Sequence, residues 1–75
     1  HILIYPNPTS GELLIESENQ LHSVDVYNLH GSLVAHKSTN NENRLRMDLS
    51  EFAHGVYLIK IESSNQVSWS KIVRE

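Results

Sequence analysis

Five histidines are the residues with the most obvious chemical potential, because imidazole is both a common metal ligand and a general base near neutral pH. No two of them stand in the His-x-His or His-x-x-x-His spacing that places two ligands on one face of a strand or helix. A zinc site needs three or four converging ligands. We therefore predict surface histidines and no bound metal. These residues are His1, His22, His30, His36 and His54.

Serine and aspartate side chains are the next candidates, for hydrolytic chemistry. No serine lies in a Gly-x-Ser-x-Gly turn, and no Gly-rich phosphate loop is present. Asp25 and Asp48 fall on the polar faces of predicted strands, where a solvated carboxylate is the ordinary role. A catalytic pair of carboxylates needs a cleft about 5 to 10 Å across, which so small a domain seldom contains. The sequence thus predicts no enzymatic activity and no cofactor.

Aromatic rings suggest a different kind of site, a platform on which carbohydrate stacks. Trp69 and Tyr57 stand in apolar phases of their segments, which favours positions in the core. Tyr27 has the phase opposite to Val24 and Val26 and is the best candidate for an exposed ring. A small immunoglobulin-like carbohydrate-binding or adhesion module, using Tyr27 or Trp69, stays open as an alternative function.

Length and charge limit what these residues can form. The 75 residues contain no cysteine, and a chain of this size buries only roughly 60% of its unfolded surface in one domain. A net charge of -3 argues against binding duplex nucleic acid. No apolar run approaches the roughly 20 residues of a membrane helix. Because the chain begins at His1 without Met, we expect one domain, residues 1–75, cut from a larger protein.

Apolar residues alternate with polar ones along most of the chain, which predicts strands. Leu45 and Met47 alternate with charged residues, and Tyr57, Ile59 and Ile61 share one phase of the longest run. Short strands separated by turns are typical of an antiparallel sandwich. The seven predicted strands span 2–5, 12–16, 23–28, 33–36, 44–49, 56–63 and 66–73.

The last predicted strand has an ambiguous pattern. Val67 and Trp69 share a phase that Ile72 and Val73 cannot both continue, which predicts a bulge or burial on both faces.

Turn-forming residues separate the predicted strands. Gly31 ends a turn between two of them and is expected to take a positive φ. Ser63–Gln66 is a predicted hairpin turn. The polar segment Lys37–Asn43 is predicted to be an exposed, mobile loop. Residues 50–54 are predicted to form one helical turn that Gly55 ends.

Four motifs, in order, resemble the type A C-terminal sorting domain of the Bacteroidetes type IX (Por) secretion system. They are the Tyr-Pro-Asn-Pro segment with its following Gly, an apolar strand ending in a Gly turn, a Gly-Val-Tyr strand start, and a closing strand with a Lys. The resemblance spans essentially all 75 residues. The sequence departs from the family pattern at Ala53-His54, where the family often has Pro or Ala just before the Gly-Val-Tyr motif. It also departs in the last strand, where Ser70 precedes Lys71 in place of two adjacent basic residues and Glu75 ends the chain. The motif residues are Tyr5, Pro6, Asn7, Pro8, Gly11, Gly31, Gly55, Tyr57, Lys71, Ile72, Val73 and Arg74.

The resemblance implies a seven-stranded, antiparallel immunoglobulin-like β-sandwich that is a non-enzymatic secretion signal. The implied partners are the type IX outer-membrane machinery, its sortase-like peptidase, and an upstream cargo domain in the same chain. Cargo of this kind is exported through the periplasm to the outer-membrane surface or the medium, and the signal is commonly cleaved off. The identity of the cargo and the cleavage site stay open.

Within the motifs, Lys71 and Arg74 are the expected contacts of the machinery, whereas Gly55 and Tyr57 are expected to determine the fold. The strand Gln66–Val73 is expected to offer an edge for strand addition to a receptor, or for pairing in a homodimer. Deleting residues 71–75 is expected to abolish export and to leave most of the sandwich folded. A third interpretation is a structural spacer packed on a catalytic domain.

Overall fold

The computed structural model describes residues 1–64 and 66–75, and these form five antiparallel strands and no helix. β2 pairs with β1, β3 and β4, and β4 also pairs with β5. The predicted all-β, antiparallel class is confirmed. Five strands are present where seven were predicted, and they form one sheet; the immunoglobulin-like sandwich is not confirmed. The strands are β1 (Ile2–Tyr5), β2 (Glu12–Tyr27), β3 (Leu33–Asp48), β4 (Gly55–Ser63) and β5 (Val67–Arg74).

Two strands are long because each contains two of the predicted ones. The predicted strands 12–16 and 23–28 are parts of β2, and 33–36 and 44–49 are joined within β3. The prediction of a mobile loop over 37–43 is therefore wrong. The segment is mostly exposed, as predicted, but exposure of its side chains does not prevent its backbone from pairing.

β2 and β3 are irregular in the middle. Four residues of β2, 17–20, lie opposite one residue of β3, and farther along three residues of β3, 39–41, lie opposite one residue of β2. Extra residues of this kind bend a strand and increase its twist. The first half of β2 consequently pairs with β1 and β3, and the second half pairs with β3 and β4.

The hydrophobic core draws side chains from both halves of β2. Tyr57 is 7% exposed, and its hydroxyl donates to the Ala53 carbonyl at 2.7 Å. The predicted core position of Tyr57 is confirmed. The buried apolar side chains are Leu13, Ile15, Leu21, Val24, Val26, Leu45, Met47, Leu49, Tyr57, Ile59, Ile61 and Ile72.

The orientation of β5 follows from one residue. β5 pairs with β4 in a single unbroken register, so the bulge, one of the two predicted alternatives, is absent. Ile72 is fully buried, so the phase that it shares with Ser70 faces the core. Trp69 consequently projects from the outer face and is 57% exposed. The predicted core position of Trp69 is wrong, because burying Ile72 requires the opposite phase.

Two connections complete the fold. After β3, the Phe52 amide donates to the Leu49 carbonyl at 3.0 Å, which closes a turn; the predicted helical turn is wrong. A hairpin turn was predicted between β4 and β5, and one of its residues, Asn65, lies outside the described residues. The Ser63 amide donates to the Gln66 carbonyl at 2.9 Å, as expected where two antiparallel strands are joined.

Candidate functional site

The Asn7 side chain links the loop after β1 to the last strand. Its farthest partner, Val73, is 66 positions away in sequence. Its side-chain amide donates to the Lys71 carbonyl at 3.0 Å, and its side-chain oxygen accepts from the Val73 amide at 3.0 Å. Pro6 and Pro8 flank it, each after a cis peptide bond. Asn7 thus occupies backbone groups that would otherwise be at the free edge of β5.

Thr9 continues the same contact two residues later. Its amide donates to the Val73 carbonyl at 2.8 Å, and its carbonyl accepts from the Glu75 amide at 2.8 Å. We call these contacts of Asn7 and Thr9 with residues 71–75 the terminal clamp. The clamp includes one parallel bridge, between Thr9 and Arg74.

The side chain of Thr9 also holds its own loop together. Thr9 is fully buried. Its hydroxyl donates to the Glu12 carbonyl at 2.6 Å and accepts from the Gly11 amide at 3.0 Å. Because buried polar groups are costly when unpaired, this double use of one hydroxyl stabilises the start of β2 beside the clamp.

Gly11 allows the loop to pass close to the turn after β3. Its φ is +151°, in the region that favours glycine, and an added Cβ would lie 3.3 Å from the Ser50 Cβ. The Gly11 carbonyl accepts from the Leu49 amide at 2.6 Å. The motif glycine is therefore required both for backbone conformation and for close approach.

Arg74 binds the same turn from the other side. Its Nε donates to the Leu49 carbonyl at 2.9 Å, and its Nη2 donates to the Ser50 carbonyl at 3.1 Å. Arg74 also lies opposite Gly55 in the β4–β5 pairing. Three motifs that are far apart in sequence, at Asn7–Gly11, Gly55 and Arg74, thus meet at one end of the domain.

Two ionisable groups near this end have shifted pKa values. The Ser50 hydroxyl and then the Ser50 amide, which lies 2.9 Å from the Asp48 carboxylate, hold the pKa of Asp48 below its ordinary value of 3.8. The hydrogen bond from the Tyr5 hydroxyl to Glu16, at 2.8 Å, raises the pKa of Tyr5 above its ordinary value of 10.0. Asp48 is therefore an anion that fixes the turn at Ser50.

The remaining motif glycine shapes the turn between β2 and β3. Gly31 has a φ of +86° and donates to the Asn28 carbonyl at 3.0 Å, as the sequence predicted for a positive-φ turn. The Asn28 side chain accepts from the His30 and Ser32 amides at 2.9 and 3.0 Å. Because the end of β2 pairs with the start of β4, this turn lies at the same end of the sheet as Gly55.

The outer face carries an aromatic patch formed by Tyr27, Lys60 and Trp69. The ring centroids of Tyr27 and Trp69 are 5.6 Å apart, and Lys60 Nζ lies 6.0 Å from the Trp69 centroid. Tyr27 is half-buried, so the exposed ring is mainly that of Trp69. This patch lies on the opposite side of the sheet from the core.

Other chemistry has little support in the described part of the chain. Among residues 1–64 and 66–75, no three His, Asp or Glu side chains are close enough together to hold a metal ion. None of these residues belongs to a helix that could cross a membrane. An open depression of about 530 Å³ lies where β2 and β3 are irregular, lined by Glu16, Ser17, Glu42, Asn43 and Arg44, away from the terminal clamp.

The structure brings together most of the predicted motif residues, but one important residue was missed. Asn7, Gly11, Val73 and Arg74 lie in or beside the terminal clamp, whereas Lys71 contributes only its carbonyl and its side chain is exposed. Thr9 was not predicted. Its only signal in the sequence is a hydroxyl two residues before a glycine, which is common in turns of no special role.

The fold and the terminal clamp define a small all-β domain whose first loop and last strand are hydrogen-bonded together. The chain belongs to the secretion system C-terminal sorting domain family, whose model matches residues 3–75. The resemblance to the type IX sorting domain is therefore confirmed. Over 73 residues the chain is also 33% identical to an ulvan lyase, NLR42, from Nonlabens ulvanivorans, and the match covers 93% of this chain and 14% of that protein.

Family membership has direct consequences. Domains of this family are non-catalytic sorting signals of type IX secretion, so the chain is a signal for export across the outer membrane. The chain spans about a seventh of the length of the lyase that it matches.

Proposed function

We propose that this chain is the single C-terminal sorting domain, residues 1–75, of a longer secreted protein. The type IX outer-membrane machinery binds the folded domain and exports the cargo that precedes it. A sortase-like peptidase then removes the domain and leaves the cargo at the cell surface or in the medium. The activity of the cargo belongs to the part of the protein upstream.

The family match carries this proposal, and the terminal clamp is the structural observation that supports it. A machinery that exports unrelated cargos has to bind a surface common to their signals. The clamp supports such a surface, because Asn7, Thr9 and Arg74 bind backbone groups and hold three motifs in one arrangement. Hydrogen bonds to the backbone place few demands on the neighbouring side chains, so the same arrangement can be kept in many sequences.

The proposed contact residues are those that the clamp leaves exposed. Pro6, Asn7, Pro8 and Lys71 have exposed side chains at this end of the domain. Arg74, in contrast, is half-buried with its guanidinium bonded to the turn after β3. We infer that Lys71 contacts the machinery, and that Arg74 positions the surface and contacts the machinery with what remains exposed.

The proposal includes the sandwich arrangement of the family. If each half of β2 and of β3 is counted separately, the five strands give seven segments. One group contains β1, the first half of β2 and the second half of β3, and the other contains the second half of β2, the first half of β3, β4 and β5. Both groups bury side chains in one core, which supports two packed layers.

Export of a fusion protein tests the function directly. The chain, with its native upstream linker, is fused to a folded reporter behind a signal peptide in a type IX-competent bacterium. We expect the reporter at the cell surface or in the medium. Retention of a folded, stable reporter in the periplasm would show that the chain is not a sufficient sorting signal.

Matched variants separate recognition from folding. Lys71→Ala is expected to reduce export several-fold without lowering the melting temperature, because the Lys71 side chain is exposed. Lys37→Ala is the control: Lys37 is an exposed lysine on β3 whose Nζ donates to the Arg46 carbonyl at 2.7 Å, and the variant is expected to export normally if its melting temperature is unchanged. Deletion of residues 71–75 is a poor test of recognition, since it removes the fully buried Ile72. Contrary to the prediction from the sequence, we expect this deletion to unfold the domain.

A second candidate function has one specific observation in its favour. Trp69 is exposed beside Tyr27 and Lys60, and such a ring could stack on a sugar. We propose carbohydrate binding as the alternative function of this face. Titration with a panel of neutral and sulfated oligosaccharides, followed by Trp69 fluorescence, tests it, and an unchanged spectrum at millimolar sugar would remove it.

A further inference from the structure

The outer edge of β5 is only partly covered. In the terminal clamp, the amide and the carbonyl of Val73 bind Asn7 and Thr9, so both groups point away from β4. Backbone direction alternates along an antiparallel strand. The amides and carbonyls of Val67 and Trp69, and the amide of Lys71, therefore point to the same side. Among the described residues no strand pairs with β5 on that side.

Residues 67–70 of this edge lack the features that usually protect an edge strand. Natural edge strands are shielded by charges, prolines, bulges or short length. β3 has a positive-φ residue, Asn41, and several charged side chains along its length, and β1 has four residues followed by Pro6. In β5, residues 67–70 read Val-Ser-Trp-Ser, with no charge, proline or bulge.

The side chains next to this edge are apolar and exposed. Val67 is 49% exposed and Trp69 is 57% exposed, and both project from the outer face in the same phase as Lys71. Tyr27 and Lys60 contact Trp69 from the side of β2 and β4, so the side of the indole toward the open edge is left uncovered. A strand added at this edge would place its own side chains beside Val67, Trp69 and Lys71.

We propose that the edge of β5 over residues 67–71 binds an extended peptide segment of a partner protein by strand addition. On the outer face, the segment has apolar side chains opposite Val67 and Trp69 and an acidic side chain opposite Lys71. The segment ends there, because Asn7 already occupies the Lys71 carbonyl and the Val73 amide. This inference does not depend on the proposed sorting function, since it concerns which peptides this edge accepts.

Short synthetic peptides test the proposal on the 75-residue chain. In the probe, threonine alternates with two Val and one Glu, which are placed to lie opposite Val67, Trp69 and Lys71. The probe is made in both chain directions so that parallel and antiparallel pairing are both sampled. Trp69 is the only tryptophan, so its fluorescence reports binding beside it. Backbone amide NMR shifts then locate the bound strand, and we expect the largest changes at Val67, Trp69 and Lys71.

Controls identify the interactions. A peptide N-methylated on the groups that face β5 is expected not to bind, because it cannot pair with the edge. Replacing the Glu of the probe by Lys is expected to weaken binding about 2- to 5-fold, the range for an exposed ion pair. Lys71→Glu is expected to reverse that preference. Trp69→Ala is expected to weaken binding of every probe, and the fold is retained because the ring is exposed.

Several results would overturn the proposal. They are equal binding of the N-methylated peptide, shifts confined to other strands, or no binding at millimolar peptide. A dimer of the chain that pairs through β5 and excludes the probe would assign the edge to a second copy. A response of Trp69 to oligosaccharides but not to peptides would assign the face to sugar binding.

Discussion

Replacing Thr9 by Val removes one buried hydroxyl and keeps nearly the same side-chain volume. In the native domain this hydroxyl donates to the Glu12 carbonyl at 2.6 Å and accepts from the Gly11 amide at 3.0 Å. The hydrogen bonds of the Thr9 backbone to Val73 and Glu75 do not involve the hydroxyl. The variant therefore tests the hydrogen bonds within the loop and leaves those of the terminal clamp in place.

The expected loss follows from the two partners that are left behind. A buried group without its hydrogen bond costs about 1 to 3 kcal/mol. Gly11 is buried, whereas Glu12 is an exposed residue, so we expect the larger cost at Gly11. We expect Thr9→Val to lower the free energy of unfolding by about 2 to 4 kcal/mol. For a domain of this size each kcal/mol lowers the melting temperature by about 4 to 8 °C.

Urea and thermal unfolding, followed by circular dichroism and by Trp69 fluorescence, measure this loss. Thr9→Ser keeps the hydroxyl and removes one methyl group, so it is expected to cost only about 1 kcal/mol. Ser10→Ala changes an exposed neighbour and is expected to be neutral. A loss below about 0.5 kcal/mol for Thr9→Val, the range of ordinary surface substitutions, would refute the structural role assigned to the hydroxyl.

Further predictions concern the same end of the domain and the last strand. Gly11→Ala is expected to lower the free energy of unfolding in denaturant by about 1 kcal/mol or more beyond the loss for Gly31→Ala. Both glycines have a positive φ, but of the two only Gly11 has a side chain within 3.4 Å of the added Cβ. Equal losses would contradict the close contact. Because the folded pKa of Asp48 is lowered, its stabilisation is present above pH 3.8 and is lost as the pH falls through the folded pKa. Asp48→Asn should flatten this part of the stability curve below pH 3.8, and an unchanged curve would exclude Asp48 as its source. Ile72→Ala is expected to cost about 2 to 5 kcal/mol, whereas Val67→Ala on the exposed phase should cost less than 1; similar losses would mean that the phase of β5 is reversed.

Much of the fold followed from local patterns. Each observed strand overlaps at least one predicted strand segment, and the buried phases of Leu45, Met47, Ile59 and Ile61 are those that the sequence predicted. The seven-strand prediction failed where β2 and β3 cross a polar stretch. Composition indicates exposure there, but whether an exposed backbone pairs depends on the strand that lies beside it.

The sequence by itself determined the all-β class, the non-catalytic family and the motif residues. Only the tertiary structure decided which phase of β5 faces the core. Val67 and Trp69 are apolar in one phase and Ile72 is apolar in the other, and it is Ile72 that is buried against the other strands. It also decided the role of Thr9. Val73 donates to the Asn7 side chain and accepts from the Thr9 amide; these hydrogen bonds join groups more than 60 positions apart, and no local pattern records such partners.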